Sequence, residues 1–309
     1  MAVSDSPQRT QFQEAARIRR EHAIGVICAL TVVLLFSGFN IMSRVGSTAG
    51  FGVWDIAALR FAVGGLIMLP LFLRRRFAGM ALAAVIRMAF LGGLGFALLA
   101  YAGFFLAPAA HGAVLLHGTL PLFTFAVSLL LGESVRRGSI PGVLLIALGI
   151  GLMAFDTMRG ATSTQLIGDF CLLLAALCWS ACGIYVKRAG IPAVQAAALV
   201  VVVSAGLYLP VYFTVFGIDG WIAVEAQDLL VQAIFQGALV GAVSIFVYMR
   251  SVHSLGPNGT ALFTAAIPCV TTLIAIHVLG EFPGRLEWAG VGIVTLGMVA
   301  AFAERLINR

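Results

Sequence analysis

The sequence feature that most constrains this chain is a stretch of residues, 101–133, that returns at 248–281. Tyr101 lies 147 places before Tyr248, and Pro121 lies 147 places before Pro268. In each copy the proline falls near the middle of an apolar run that is long enough to cross a bilayer. Proline removes a backbone hydrogen bond and crowds the preceding turn, so its recurrence at one place predicts a helix interruption that the protein uses. Paired interruptions in two halves are typical of a transport site.

The composition assigns the chain to the membrane. Hydrophobic residues make up 61% of it and charged residues only 10%, whereas a soluble globular protein has about a quarter of its residues charged. The apolar runs have the length of transmembrane helices and lack the alternating pattern of barrel strands. The five cysteines fall inside these runs and predict neither a disulfide framework nor a metal site, and no cofactor is expected. Ten spans are predicted, at 24–43, 55–73, 87–107, 109–131, 139–157, 167–186, 193–216, 229–250, 257–279 and 286–304.

The repeat extends over both halves of the chain. The segment that begins at Ile24 returns at Ile167, and GVLLIALG from Gly142 returns as GVGIVTLG from Gly290. Each half therefore contains five spans, and because five is odd the second half must cross the membrane in the opposite sense. The predicted fold is an all-α integral membrane protein with ten transmembrane helices, arranged as an inverted five-plus-five repeat around a central cavity. Its predicted parts are an N-terminal tail (1–23), the first repeat (24–157), a connecting loop (158–166), the second, inverted repeat (167–304) and a C-terminal tail (305–309).

The positive charges predict the orientation of the bundle. If the N-terminus is cytoplasmic, 15 of the 19 lysines and arginines lie in cytoplasmic segments, where such residues are retained. An even number of spans then leaves both termini in the cytoplasm.

A resemblance rests on four features: the ten spans, the two five-span halves, the basic segment after the second span, and the PLF and LGE sequences of span four with the matching proline and LGE of span nine. Over residues 24–304 the chain resembles the EamA branch of the drug/metabolite transporter superfamily, and more narrowly the YddG-type aromatic amino acid exporters of bacterial inner membranes. The resemblance implies a multi-pass inner-membrane protein that exports amino acids, aromatic and other hydrophobic ones first, through a cavity lined by both halves.

Several functional expectations follow. The mechanism is expected to be alternating access, uncoupled or weakly proton-coupled through His117, because the spans hold almost no buried carboxylates for a proton relay. The partners expected are a small-molecule substrate and the lipid bilayer, with no nucleic acid; the protein is a monomer or an oligomer of unknown size. One alternative is an exporter of drugs or other small metabolites. A membrane anchor or an intramembrane enzyme is the alternative of another class, but the chain has neither H-E-x-x-H nor an identifiable serine and base pair, so no enzyme is expected.

Two polar stripes run through the proline-containing spans and predict the lining of the cavity. His117 and Thr124 flank Pro121 on one helical face, and Thr264 and Thr271 flank Pro268 in the same way. We expect Pro121 and Pro268 to act as gating kinks. The alternatives are that the hydroxyl groups only bond carbonyls freed by the kinks, and that His117 is a buried histidine bonded to a neighbour.

Arg60 is the strongly basic residue placed well inside a span. It is the candidate partner of a substrate carboxylate, of Asp55 or of Asp156, unless its side chain extends to water instead. Aromatic rings and amide or hydroxyl groups suit the rest of an amino acid, although aromatic residues near span ends are commonly interface residues. The predicted substrate-binding residues are Trp179, His117, Asn40, Tyr101, Phe105, Tyr248, Thr264, Ser180 and Tyr185.

Overall fold

The computed structural model describes residues 7–77, 79–107, 111–133, 138–159, 161–278 and 284–307. Over these residues the regular structure is entirely helical, which confirms the predicted fold class. A short helix, Asp219–Ile222, lies between the seventh and eighth of the long helices. The long helices are α1 (Pro7–Thr48), α2 (Val53–Arg75), α3 (Leu82–Leu106), α4 (Gly112–Leu130), α5 (Ser139–Thr157), α6 (Ser163–Ala189), α7 (Ala193–Val215), α8 (Ala226–Leu255), α9, in two segments (Pro257–Thr264 and Ala266–Val278), and α10 (Arg285–Ile307).

Eight helices in the described part of the chain are long and apolar enough to cross a membrane, namely α1 to α4 and α6 to α9. The apolar part of α5, Ile140–Asp156, is shorter. Helix α10 covers the tenth predicted span. Helix α1 begins at Pro7, so the predicted N-terminal tail is helical from that residue and continuous with the first span.

Helices of one half pack against helices of the other half in antiparallel pairs. At one end of the α2–α7 pair Gln195 Nε2 donates to Arg76 O at 2.6 Å, and at the other end Tyr208 Oη donates to Trp54 O at 3.1 Å. In the α5–α10 pair Gly149 lies against the backbone of Gly290. Gly142, nearer the start of α5, lies against Gly297 and Ala301, nearer the end of α10. Antiparallel pairing of equivalent helices is what an inverted repeat produces.

Two hydrogen bonds show the inversion atom by atom. Ser37 Oγ in α1 donates to Ile267 O in α9 at 3.4 Å, and Ser180 Oγ in α6 donates to Leu120 O in α4 at 3.3 Å. The serines are 143 places apart and the acceptors 147, the offsets of the repeat in these helices. Each acceptor is the carbonyl of the residue before a repeated proline, so the same polar contact supports the same backbone position in both halves.

Helices α4 and α9 are each interrupted just before a repeated proline, Pro121 in α4 and Pro268 in α9. Helix α4 begins with a π-helical segment, Gly112–Gly118, and resumes regular α geometry at Leu120, one residue before Pro121. Helix α9 is interrupted at Ala265, three residues before Pro268. A proline clashes with the turn that precedes it, which explains why each interruption lies on its N-terminal side. Both prolines are buried, so neither faces lipid.

Further irregularities also occur in related helices. The segments Phe90–Leu94 of α3 and Ala233–Ser244 of α8 are π-helical, and the second covers the positions 147 places after the first. Pro70 and Pro210 lie inside α2 and α7, 140 places apart. π-Helical segments are rare and concentrate at functional sites. The repeat therefore preserves the places where the helices deviate as well as the helices themselves.

Candidate functional site

The guanidinium group of Arg60 is buried in the middle of the protein. Arg60 is 1% exposed, and Nε, Nη1 and Nη2 have no hydrogen-bond partner among the described residues. Its Cζ atom lies 5.6 Å from the centroid of the Phe39 ring and 5.6 Å from that of Phe96. The position reflects close packing of backbones, since Gly241 of α8 lies directly against the Arg60 carbonyl. A cation held between two aromatic rings keeps its nitrogen atoms available for an anion.

Arg60 does not form either of the ion pairs expected within the chain. Asp55 Oδ1 accepts from Tyr212 Oη at 2.7 Å and Asp55 Oδ2 accepts from the Gly52 amide at 2.8 Å. Asp156 lies beside Gly284, at the end of α5. Nor does the arginine side chain extend to the surface. The guanidinium group of Arg60 therefore has no counter-ion among the described residues.

Arg60 and five aromatic side chains form a closed cycle of contacts. Phe39 lies 6.1 Å from His117, His117 lies 5.1 Å from Phe36, and Phe36 lies 5.6 Å from Trp179, as measured between ring centroids. Trp179 lies 4.5 Å from Phe96, which returns the cycle to Arg60. We call this set the central ring; its members are Arg60, Phe39, His117, Phe36, Trp179 and Phe96.

Polar atoms of the central ring are left without partners. Neither ring nitrogen of His117 has a hydrogen-bond partner among the described residues, and the same is true of Trp179 Nε1. Burying such groups unpaired costs free energy, so native proteins seldom leave several of them together. Helices α1, α2, α3, α4 and α6 all contribute to the ring, and both halves of the repeat are therefore represented in it.

Two predicted site residues, Tyr101 and Tyr248, pack directly on the central ring. Tyr248 is 4.7 Å from Trp179 between ring centroids. Tyr101 is 5.7 Å from Phe39, and its hydroxyl donates to Gln236 Oε1 at 3.0 Å. Gln236 Nε2 in turn donates to Ser43 Oγ at 3.2 Å. This short chain of hydrogen bonds fixes the tyrosine beside the aromatic rings that hold Arg60.

Three further predicted residues are buried and bonded within the protein. Asn40 Nδ2 donates to Thr271 Oγ1 at 3.2 Å, while Asn40 Oδ1 has no partner among the described residues. Thr264 Oγ1 donates to Ala261 O at 2.7 Å, and Ser180 supports the carbonyl before Pro121. For Thr264 the bonding is thus the backbone support that was the alternative interpretation, and the hydroxyl of Ser180 also bonds a backbone carbonyl.

The structure separates Tyr185 from the other predicted residues. Its ring is only partly buried and lies 5.8 Å from Arg87 Cζ, near the end of α6. Phe105 is also partly buried and packs at the edge of the hydrophobic core. Periodicity places a residue on a helix but leaves the depth of its side chain open, which is why these two differ from Trp179.

Sequence reasoning missed a buried pair of ionisable residues. His111 Nδ1 and Asp169 Oδ1 are 2.6 Å apart, and the residues are 2% and 3% exposed. The inference that the spans hold almost no buried carboxylate therefore overlooked Asp169, and the argument against a proton relay loses its basis. The signal was present in the sequence, because an aspartate two residues inside a predicted span is rare and is functional by default.

With the two inverted halves and the central ring described, comparison with known proteins decides the family. The model of the EamA-like transporter family matches this chain twice, at residues 23–155 and 166–303. The chain belongs to the EamA-like transporter family. The two matches coincide with the two halves of the repeat, so each half of this EamA-like transporter is one copy of the family's unit.

Relatives of this EamA-like transporter are themselves described as transporters. The chain is similar to the uncharacterized inner membrane transporter YedA of Escherichia coli (strain K12), with 24% identity over 251 residues, which is 79% of either chain. It is also similar to an uncharacterized transporter from Acidianus ambivalens, encoded in the sor 3' region, with 23% identity over 82% of this chain and 94% of that protein. A solved crystal structure shares the fold with a TM-score of 0.68 at 19% identity, covering 92% of this chain and 99% of its own.

Proposed function

We propose that this EamA-like transporter exports amino acids, aromatic and other hydrophobic ones, across a bacterial inner membrane by alternating access. The observation that carries the proposal is the buried, unpaired guanidinium of Arg60 within a ring of aromatic side chains. Both termini are then cytoplasmic, as the distribution of positive charges predicts.

A carboxylate is the chemical group that Arg60 lacks. A buried cation without a counter-ion costs several kcal/mol, about the amount that a paired and hydrogen-bonded anion can offset. The planar guanidinium fork matches a carboxylate in a bidentate manner. No carboxylate of the described residues forms a salt bridge with Arg60, so the anion that fits there comes with the substrate.

The same region offers acceptors for an ammonium group. The acceptors are Asn40 Oδ1, Thr124 Oγ1 and the one ring nitrogen of a neutral His117 that carries no proton, all buried and without a hydrogen-bond partner among the described residues. Phe39, the residue before Asn40, contacts both His117 and Arg60. Unpaired donors at Arg60 and unpaired acceptors nearby together suit a zwitterion, whereas a simple organic acid would leave the acceptors unpaired.

The aromatic members of the ring suit an apolar or aromatic side chain. Phe36, Phe96, Trp179 and Tyr248 are each no more than 2% exposed, and Trp179 contacts the other three edge to face or at a tilt. Such arrangements also stabilise an additional ring by about 0.5–1.5 kcal/mol beyond its buried area. A hydrophobic amino acid therefore satisfies the charge, the hydrogen bonds and the apolar surface of the site at once.

The fold supports alternating access around this site. The two halves are inverted copies, and α4 and α9 are interrupted at equivalent places beside Pro121 and Pro268. Equivalent interruptions allow either end of the bundle to open by the same kind of movement. We propose that the two prolines are the kinks about which the ends of α4 and α9 move.

The decisive experiment measures uptake of radiolabelled phenylalanine into liposomes that contain the purified protein. We expect saturable uptake in the wild type and a fall in kcat/KM of at least about tenfold, or about 1.4 kcal/mol, for Arg60→Gln. Arg60→Lys keeps the charge but not the bidentate fork and should be intermediate. Arg44→Gln, which removes an exposed arginine, is the control and should transport normally.

Competition by analogues tests the substrate class. Phenethylamine lacks the carboxylate and phenylpropionate lacks the ammonium group, so neither should compete as well as phenylalanine. Equal competition by phenylpropionate would instead favour an exporter of organic acids, the alternative in which Arg60 alone selects the substrate. An absence of phenylalanine uptake by the wild type would reject amino acid transport.

A further inference from the structure

The buried pair of His111 and Asp169 joins the two halves of the protein away from the central ring. His111 immediately precedes α4, which belongs to the first half, and Asp169 lies in the second turn of α6, which belongs to the second half. Their contact of 2.6 Å is at the end of the bundle where α3 also ends, because Gly168 lies against Leu106 and Ala107. We call this end the His–Asp face.

One carboxylate oxygen of the pair is unpaired. Asp169 Oδ1 contacts His111, but Asp169 Oδ2 has no hydrogen-bond partner among the described residues although the residue is 3% exposed. A group that served only to hold two helices together would be satisfied at both oxygens, since each unpaired buried oxygen is costly. Ionisable residues placed in this way within transmembrane segments commonly carry protons in transporters.

The pair occurs only once, although most of the architecture occurs twice. At the repeat offsets the counterpart of His111 is Asn258 and the counterpart of Asp169 is Val26, and neither can take up a proton near neutral pH. Asn258 instead donates from Nδ2 to Ser128 Oγ at 3.1 Å. The ionisable pair thus distinguishes the His–Asp face from the opposite face of the inverted repeat.

The elements packed against the first turns of α4 present few other ionisable groups that could replace His111 as the partner of Asp169. Helix α3 presents apolar residues at this level, and the segment 108–110 is Pro-Ala-Ala in sequence. The titratable or charged side chains in the nearer halves of these elements, with their surroundings, are Tyr101 of α3, bonded to Gln236; Arg44 of α1, exposed; Asp156 of α5, beside Gly284; Cys171 of α6, partly buried; His277 of α9, exposed; and His117, six residues deeper in α4.

We propose that His111 and Asp169 form a proton-binding site, and that release of its proton accompanies opening of the transporter at the His–Asp face. With one proton between imidazole and carboxylate the pair is an imidazolium beside a carboxylate, and its net charge is zero. When that proton leaves, a carboxylate remains with a neutral imidazole in a dry environment. That state requires water around Asp169, and water can enter only if α4 and α6 separate at this end.

Proton binding and opening are consequently linked in both directions. A lower pH on the side of the His–Asp face favours the protonated, closed pair, and opening of that face releases a proton to the same side. This proposal rests on the chain being a transporter, which its family shows, and does not depend on amino acids being the substrate.

Infrared difference spectroscopy of the protein in lipid tests the site without any substrate. Loss of the proton converts the imidazolium of His111 into a neutral imidazole. The infrared bands of the imidazolium should therefore disappear as the pH rises. Asp169→Asn should change this response of the imidazolium bands to pH, because His111 loses the carboxylate oxygen that lies 2.6 Å from its Nδ1. His111→Gln should abolish the imidazolium change. His277→Gln, which removes an exposed histidine on α9, is the control and should preserve this buried transition.

Transport assays test the link to opening. In liposomes with labelled phenylalanine on both sides, exchange at equal pH should survive in Asp169→Asn, while the several-fold response of wild-type flux to a pH gradient should be lost. A wild type that ignores the gradient, or an Asp169→Asn variant that responds as the wild type does, would overturn the proposal. If phenylalanine is not carried at all, the amino acid proposal fails, and the infrared titration alone decides for or against the proton site.

Discussion

Tyr248 occupies the space that a side chain at position 183 would need: a Cβ atom added to Gly183 would lie 2.8 Å from Tyr248 Oη. In the other half, the position equivalent to Gly183 is Asn40, whose amide bonds Thr271. The counterpart of Thr271 is Thr124, and with glycine at 183 its hydroxyl has no partner among the described residues. Where the first half has the hydrogen bond from the Asn40 side chain, the second half has the ring of Tyr248 packed against Trp179.

This exchange makes Gly183 a sensitive position. Gly183→Ala should push Tyr248 away from Trp179 and lower kcat/KM for phenylalanine by about tenfold, or about 1.4 kcal/mol. Gly206→Ala is the matched control, because Gly206 is helical, exposed and has open space around it. Steady-state uptake kinetics of both variants measure the effect. Equal kinetics would show that Tyr248 does not contribute to the site.

The hydrogen bonds of Ser37 and Ser180 should be worth similar amounts, because they support equivalent carbonyls in the two halves. Each serine-to-alanine change should lower stability by about 0.5–1.5 kcal/mol, the usual net value of a buried hydrogen bond. Thermal unfolding in detergent, followed by tryptophan fluorescence, gives the comparison. Ser47→Ala removes an exposed hydroxyl and should leave the midpoint unchanged. A large difference between Ser37→Ala and Ser180→Ala would mean that only one half depends on its contact.

The contact of α5 with α10 depends on glycine at defined positions. A Cβ atom at Gly149 would lie 2.8 Å from Gly290 O, a backbone atom that cannot move aside by itself. Gly149→Ala should therefore destabilise the protein by about 1–3 kcal/mol through overpacking. Gly151 lies two residues further along the same helix with open space around it, and Gly151→Ala should be neutral. Comparing the unfolding midpoints of the two variants tests whether the backbones of α5 and α10 are in direct contact at Gly149.

The predicted orientation can be measured with single cysteines in a cysteine-free background. Ile218 lies exposed in the loop after α7, and Arg188 lies exposed near the end of α6. In intact cells a membrane-impermeant maleimide should label a cysteine at 218 and should label one at 188 only after lysis. The reverse pattern would place both termini outside the cytoplasm and contradict the interpretation of the positive charges.

Much of the fold was predictable because repeats and hydrophobic length are properties of the sequence itself. The offset between Pro121 and Pro268 revealed the repeat, and the odd number of spans in each half predicted the inversion. The residue that each proline disturbs, Thr119 in α4 and Ala265 in α9, was not predictable, since the place where a helix yields depends on its packing.

The site was less accessible to prediction. Trp179 and His117 drew attention because they are bulky or ionisable groups deep within their spans, and the structure buries both; their role in binding stays a prediction. The isolation of Arg60 from Asp55 depends on Tyr212, which binds that carboxylate from a distant part of the chain, and on the amide of Gly52, three residues before it. Phe36 and Phe96 completed the ring without any signal of their own, because a phenylalanine in an apolar span has no distinguishing pattern.

The single occurrence of the pair His111 and Asp169 has a consequence for the resting molecule. Two identical halves would make the inward-facing and outward-facing forms equal in free energy, and an unloaded carrier would divide its time evenly between them. With the proposed proton-binding contact at one end and Asn258 at the equivalent place on the other, we expect that balance to be uneven and to change with acidity on one side only. The inverted repeat thus provides two equivalent orientations, and we expect the difference between the halves at His111 and Asp169 to set which orientation the unloaded carrier favours.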